Sequence, residues 1–290
     1  MRLLPEFGVC DCHSHVFGPY DRFPLAVNRT YDPPEAPLAA LQAVWTQLGI
    51  DRAVLVQGSA HGSDHRALLA ALAQSPQTRR GVAVLEAGVA EEELLTLHRA
   101  GVRAVRFNWV PHLLRKDSRD EAQRLADAAA LLRRVQPLGW HAELHLDLLE
   151  IDLLDRLDVP GGMDVVVDHM ARLDASHAVH AQVERLLRCL ETPHRWTKLS
   201  GADRISSRSQ SGLRAALQPL RTLLGTAAAH CVWGLDWPHV NQQQRPEDLA
   251  LAELLLEAAD GDAARLRQVL VANPAHLYGF PQSGHYPTHI

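Results

Sequence analysis

Cysteine is scarce in this chain of 290 residues: Cys10, Cys12, Cys189 and Cys231 are all it has. They are too few and too scattered to staple a chain of this length, and no pair has zinc-knuckle spacing, so they read as reduced thiols. Long apolar runs are also missing. The uninterrupted ones, such as Ala53 to Val56 and Ala128 to Leu132, fall far below the ~20 residues that span a bilayer. Pro5 and Glu6 interrupt the N-terminus before it can supply the ~7 to 15 apolar residues of a secretory signal, so no membrane is expected as partner and a cytoplasmic location is. Cationic excess is absent too. Lys plus Arg number 29 against 34 Asp plus Glu, a net of −5 with histidine neutral, which argues against nucleic acid as the main partner. Tyrosine is limited to 4 residues.

The chain does have enough apolar residues for a core, 47% against 22% charged, an ordinary globular balance. It also has 17 histidines, which raises the question of whether some of them converge. Short runs rich in Val, Ile, Leu and Ala recur between longer segments of helical period, the pattern of a parallel sheet alternating with helices. Strands are expected over Val9 to His15, Arg52 to Ser59, Gly81 to Ala87, Val102 to Trp109, Trp140 to Leu146, Asp164 to Met170, Trp196 to Gly201 and Cys231 to Trp237. Helices are expected over Pro37 to Leu48, Asp64 to Gln74, Ala90 to Ala100, Arg119 to Gln136, Leu148 to Leu157, Ala175 to Leu190, Gly212 to Leu224, Pro246 to Ala259 and Asp262 to Val271. Three acids open the third helix, and Gly101 stops it. Eight strand and helix units in about 250 residues is the arithmetic of a single (β/α)8 TIM barrel of class α/β, read here as one domain over residues 1–290. An open doubly wound sheet usually carries a glycine-rich phosphate turn after its first strand, and none is present.

In such barrels the chemistry sits at the C-terminal ends of the strands. Strand one reads Val9-Cys10-Asp11-Cys12-His13-Ser14-His15. Strict alternation puts Asp11, His13 and His15 on one face and both cysteines on the other, under the helices. Two imidazoles on one face can chelate a metal or grip an oxyanion. Strand four aims Arg106 and Asn108 inward, where a guanidinium requires a carboxylate from the protein or the substrate. Strand five ends in His145, with Glu143 on the same face placed to orient a histidine deeper in the barrel. Strand six ends in Asp168-His169, strand seven leads through Lys198-Leu199-Ser200 to Arg204, and strand eight ends in Asp236 shortly before His239. A carboxylate at a strand end can serve as general base or metal ligand. His65 reads as a surface or loop residue, and His61 as one too unless it lines the pocket.

Taken together, Asp11 to Gly18, Val56 to Asp64 with Ser59 and Ser63, Gly101 to Asn108, Val165 to Arg172, Lys198 to Arg204, Trp233 to His239 and Asn273 to Gly279 resemble the 2-pyrone-4,6-dicarboxylate lactonase group of the amidohydrolase superfamily. The resemblance implies an amidohydrolase-like barrel that opens a small carboxylated lactone. It implies Asp236 as the base that activates water, with His13, His15 and His169 around the carbonyl. Arg106 and Arg204, with Asn108, Ser59, Ser63, His112, His145 and His239, are implied as substrate contacts. The chain departs from the group in having His112 where another basic side chain stands six residues after Arg106, and His145 where a strand-five tyrosine stands. Imidazole does not replace a bidentate guanidinium grip, so a substrate other than the pyrone dicarboxylate is expected. In metal-bearing members of the superfamily a strand-five histidine joins the strand-one pair. His13, His15, His145 and Asp236 therefore form a candidate site for one divalent metal, zinc first, with a metal-free site as the equal alternative. The alternatives to lactone hydrolysis are a zinc-dependent decarboxylase and a barrel that only binds a small acid. Arg22, Arg29 and Arg115 are the loop residues that could reach a substrate.

Overall fold

The computed structural model describes residues 8–175, 178–206, 212–242 and 245–281. Eight parallel strands pair in sequential order: β1 (Cys10–Ser14), β2 (Arg52–Val56), β3 (Arg79–Ala83), β4 (Val102–Asn108), β5 (His141–His145), β6 (Val165–Val167), β7 (Arg195–Leu199) and β8 (Cys231–Trp233). The sheet closes where Ser14 bridges Trp237, with Asp236 N donating to His13 O at 2.7 Å and His15 N to Trp237 O at 2.8 Å. Around it run helices α1 (Leu38–Leu48), α2 (Arg66–Ala73), α3 (Glu91–Arg99), α4 (Glu121–Val135), α5 (Leu153–Arg156), α6 (Val179–Leu190), α7 (Ala202–Ser206), α8 (Leu217–Ala227), α9 (Asp248–Ala259), α10 (Ala263–Arg267) and α11 (Asn273–Tyr278). No helix among the described residues is long and apolar enough to cross a membrane.

Side-chain alternation sorts the apolar residues into two cores, as expected of strands buried on both faces. Ala53, Leu55, Ala83, Val105, Ala142 and Leu144 turn outward to the helices. Val54, Val56, Val82, Ala104, Val166 and Val232 fill the lower barrel, and Tyr278 and Phe280 from the C-terminal segment close its floor.

The same sorting corrects the reading of β1, because Cys10 and Cys12 lie in the inner cluster. Asp11 faces outward, accepting from Trp45 Nε1 of α1 at 2.9 Å and from Ser14 Oγ at 2.5 Å. The pairing of β1 with β2 slips between Asp11 and Ser14, where three steps on β1 match two on β2. This bulge reverses the parity, so Cys12 and His13 both turn inward and the cysteines end below the histidines.

Element boundaries differ elsewhere for local reasons. β3 starts two residues earlier than expected. The segment expected as one helix over Leu148 to Leu157 is a 3-10 turn followed by α5; Leu148, Leu153, Leu154 and Leu157 pack on the core, while Leu149 is exposed. The Gly212 to Leu224 helix divides into a 3-10 turn and α8, and the last expected helix passes through a wide turn at Gln268–Ala272. Neither α7 nor α11 was anticipated.

Gly234 fixes the seam between β8 and β1. A Cβ there would lie 2.6 Å from His13 N and 2.7 Å from His13 Cβ, whereas a Cβ at Gly225 in α8 would meet nothing within 4 Å. Gly234→Ala is expected to destabilise by about 1–3 kcal/mol or more through overpacking. Gly225→Ala is expected to stabilise by about 0.5–1 kcal/mol. Denaturant midpoints of the two variants check this, and equal midpoints would remove the seam argument.

Candidate active site

The barrel mouth is built from strand ends that place polar groups in two tiers. In the lower tier Lys198 of β7 is fully buried, with its Nζ 2.5 Å from Glu143 Oε2, 3.1 Å from His13 Nδ1 and 3.2 Å from Asp168 Oδ1. Glu143 also accepts from Tyr278 OH at 2.8 Å, and Asp168 from Arg106 Nε at 2.8 Å. Glu143 therefore does not reach His145; the imidazole near it is His141, 3.5 Å away. Burial alone would lower Lys198, but Asp168 and Glu143 outweigh it and the net shift is upward.

The upper tier centres on Asp236, which is completely buried. Its φ of 65° at the end of β8 is a left-handed conformation that Asp tolerates better than most residues. Arg204, on α7, donates from Nε to Oδ2 and from Nη1 to Val240 O at 3.1 Å. Among the described residues Oδ1 has no hydrogen-bond partner, and it faces three imidazoles: His15 Nε2 at 3.5 Å, His13 Nε2 at 3.8 Å and His169 Nε2 at 4.0 Å.

Each ring is held from behind. His15 Nδ1 donates to Val56 O at 2.8 Å, and His169 Nδ1 lies 2.9 Å from Ser200 Oγ. His169 reaches its place through an uncommon backbone. Residues His169 to Arg172 all have φ between 52° and 53°, a run that costs energy for non-glycine residues and that the surrounding packing must impose. Gly201, itself at φ 66°, leaves room for the His169 ring, which would lie 3.1 Å from a Cβ there.

Charge is sorted cleanly across the site. Burial and then Lys198 push His13 down to about 3. Burial likewise holds His145 and His169 well below the usual imidazole value. Burial would raise Asp236, but Arg204 and the surrounding rings bring it well below the carboxylate range. At neutral pH these three imidazoles are neutral and Asp236 is an anion.

Most of the remaining residues singled out from sequence converge. His145 lies beside His169, with ring centroids 5.1 Å apart, its Nδ1 3.4 Å from Asn108 Oδ1, and His112 stands 6.4 Å from it across the mouth. Ser59, Arg106 and Asn108 line the inner end of a groove of about 620 Å³. Ser63 is exposed and does not line that groove. His239 is buried but turned away, with Nε2 3.0 Å from Asp248 of α9 and Nδ1 3.6 Å from Asp203 of α7. His61 stacks on Phe17 below the first loop. His65 is buried between Glu93 and Val84 O and is not a surface residue.

Two residues of the site escaped the sequence reading. Lys198 was legible in principle, since an inward lysine on a strand demands carboxylates. Tyr31 carried no signal: it comes from the long loop after β1, meets Ser59 Oγ at 3.5 Å, and lies close enough to Arg106 and Arg204 to feel both charges. Of the loop arginines, Arg29 reaches the groove but pairs with Asp32, while Arg22 and Arg115 do not line it.

Residues 10–280 match the family model described as amidohydrolase. The chain belongs to the amidohydrolase family. It is 34% identical over 94% of its length to the 2-pyrone-4,6-dicarboxylate hydrolase of Comamonas testosteroni, covering 92% of that protein. It is 31% identical over 96% of its length to the 4-sulfomuconolactone hydrolase of Hydrogenophaga intermedia, covering 91% of it. A Pseudomonas putida structure carrying the name 2-pyrone-4,6-dicarboxylic acid hydrolase superposes with TM-score 0.80 at 32% identity, over 96% of this chain and 100% of that one.

Members of this family often bind metal, and among the described residues two groups of donors have the spacing to hold one. One ligand atom each from His13, His169 and Asp236 lies within 4.8 Å of the others, so these three fit one divalent cation by donor type and spacing. Of the set expected from sequence, His13 and Asp236 are in this group, with His169 as the third member. The second group, His13 with Glu143 and Asp168, already surrounds a cation: the Lys198 ammonium touches all three.

His239 generates a stability prediction. Burial lowers its pKa, but Asp203 and Asp248 raise it to a net value of about 9 from an ordinary 6.5. Its protonated form then stabilises the fold fully below pH 6.5, and that stabilisation is lost as pH rises past about 9. His239→Gln should cost on the order of 3 kcal/mol near pH 6 and much less above pH 9, measured by denaturant unfolding. A pH-independent difference would show that the ring is held by packing alone.

Proposed function

We propose that this protein opens a small carboxylated lactone, or a related cyclic ester, by attack of an activated water on the ring carbonyl. The single observation that carries the reading is Asp236. It is a fully buried carboxylate with one oxygen on Arg204 and the other unpartnered, facing three imidazoles. Oδ1 is the base that orients water and takes its proton. Imidazole N–H donors across from it stabilise the charge that develops on the carbonyl oxygen, in a site from which bulk water is excluded. Because His13 and His169 are neutral, they act as donors without competing with Arg204 for the carboxylate.

The guanidinium of Arg106, fixed at Nε by Asp168, turns its remaining edge to the groove and is the anchor for a substrate carboxylate. Arg204 is engaged by Asp236 and Val240 O, so its first task is to orient the base. His112 and His145 offer neutral hydrogen-bonding groups at the mouth where a second guanidinium would grip a second carboxylate. This supports a substrate less highly charged than the pyrone dicarboxylate. A divalent cation, if bound, would be held by His13, His169 and Asp236 and would polarise the attacking water. The site's own charges already balance, since Arg204 neutralises Asp236.

The testing experiment is proton release by the purified protein on a panel of carboxylated and sugar-acid lactones, with chelator and with added zinc. Hydrolysis that survives chelation is expected. Silence across the panel would remove the lactonase reading, and carbon dioxide release without ring opening would replace it with a decarboxylase. Asp236→Asn is expected to lower kcat, measured per folded molecule, by orders of magnitude, and to lower stability as well because Arg204 loses its carboxylate. Because Asp236 is held below the carboxylate range, kcat/KM should persist as pH falls toward about 4. An activity loss centred between pH 6 and 7 would assign the base to an imidazole instead.

A further inference from the structure

The lower tier bears on the chemistry of the upper one through a single shared ring. His13 presents Nε2 to Asp236 and Nδ1 to Lys198, so whatever is settled at Nδ1 decides what Nε2 can do. A neutral imidazole carries one proton, and the nitrogen without it is an acceptor. An ammonium has three N–H bonds and no lone pair. Around Lys198 Nζ stand three groups within hydrogen-bonding reach: Glu143 Oε2 at 2.5 Å, His13 Nδ1 at 3.1 Å and Asp168 Oδ1 at 3.2 Å.

The ammonium hydrogen-bonds to Glu143 Oε2 and, if Nδ1 accepts, to His13, while among the described residues Asp168 Oδ1 lies 3.2 Å away as an ion pair without a hydrogen bond of its own. A proton on Nδ1 would point two donors at each other across 3.1 Å and leave one ammonium hydrogen buried without a partner. Asp168 Oδ1 could take an Nδ1 proton in principle, but it lies farther from the ring, at 3.4 Å, than Nζ does. The position is also dry, because Lys198, Glu143, Asp168 and His13 are all completely buried.

We propose that Lys198 is a positioning residue that, by donating to Nδ1, fixes His13 as the Nε2–H tautomer, a hydrogen-bond donor toward the substrate oxygen that a cation could engage only after the ring proton moved. His15 is set the opposite way. Its Nδ1 donates to the Val56 carbonyl, so that nitrogen carries a proton. The two imidazoles of the His-x-His pair are therefore held from behind in opposite senses, one accepting from an ammonium and the other donating to a carbonyl. Coordination through His13 Nε2 would require the proton to move to Nδ1, against the ammonium. Lys198 thus weakens zinc binding at His13 Nε2 and favours an ester oxygen there. The tautomer is independent of substrate identity; only the statement of what Nε2–H touches rests on the lactonase reading.

The first test uses the wild-type full chain labelled with 15N-histidine, with His13 assigned by the signal lost in His13→Gln. A pyridine-like Nδ1 and a pyrrole-like Nε2 at neutral pH are expected; a pyrrole-like Nδ1 would overturn the proposal whether or not a lactone has been found. The second test removes the ammonium without leaving an unpaired carboxylate, in the double variant Lys198→Met, Glu143→Gln. Zinc affinity by calorimetry should rise about tenfold or more over wild type, the scale on which groups behind a ligand tune metal sites. On any lactone the wild type hydrolyses, kcat should fall with KM little changed. Zinc affinity equal to that of the wild type would mean that Lys198 serves stability alone. If the variant does not fold, the tautomer spectrum of the wild type decides the question.

Discussion

Everything at the mouth of this barrel depends on cancelling charge inside it. A lysine ammonium in a dry interior is tolerable only among carboxylates, and Lys198 sits between Glu143 and Asp168 while Arg106 takes the other oxygen of Asp168. Asp236 and Arg204 repeat the arrangement one tier higher. Three carboxylates and three cations therefore neutralise one another without the imidazoles, which are free to stay uncharged. Removing one member would leave its partner buried and unpaired, so this set is the most sensitive point of the molecule.

From that balance the site follows. Side chains that face inward low in the barrel are apolar or paired, which fixes the strand ends rigidly. The side chains above them inherit defined orientations: His13 from Lys198, His15 from the β2 backbone, His169 from Ser200 and Gly201, and Asp236 from Arg204. A buried base with one oxygen left free by Arg204 and opposed by donors is suited to water attack on a carbonyl, while Arg106 and Asn108 line a groove at the barrel mouth. On the proposed reading the substrate-facing part is set by Tyr31, His112 and His145, which come from loops and a strand end where barrels vary most.

Much of this was legible in the residues. The eight apolar runs marked the strands, and eight strand and helix units with no glycine-rich phosphate turn after the first pointed to a barrel over an open doubly wound sheet. His13, His15, His169, Arg106, Arg204 and Asp236 were found because strand ends in a barrel converge whatever the sequence between them. What failed was finer. Alternation cannot foresee a bulge, so Asp11 and the two cysteines were put on the wrong faces. The left-handed run from His169 to Arg172 contains no glycine to announce it, and it moved His169, not His145, into the group around Asp236. His239 and Ser63 lie near the right strand ends, but one ring is drawn to Asp203 and Asp248 and the other side chain points to solvent. Contacts between distant loops, such as Tyr31 with Ser59, leave no periodic trace.

The central claim is that Asp236 acts on water and does not itself attack the ring. Single-turnover hydrolysis in 18O-labelled water, on the first lactone found to react, tests it most directly. The account predicts one labelled oxygen in the newly formed product carboxylate and none in the protein. Label appearing in the Asp236 carboxylate, with an unlabelled first-turnover product, would establish a covalent acyl intermediate and contradict it.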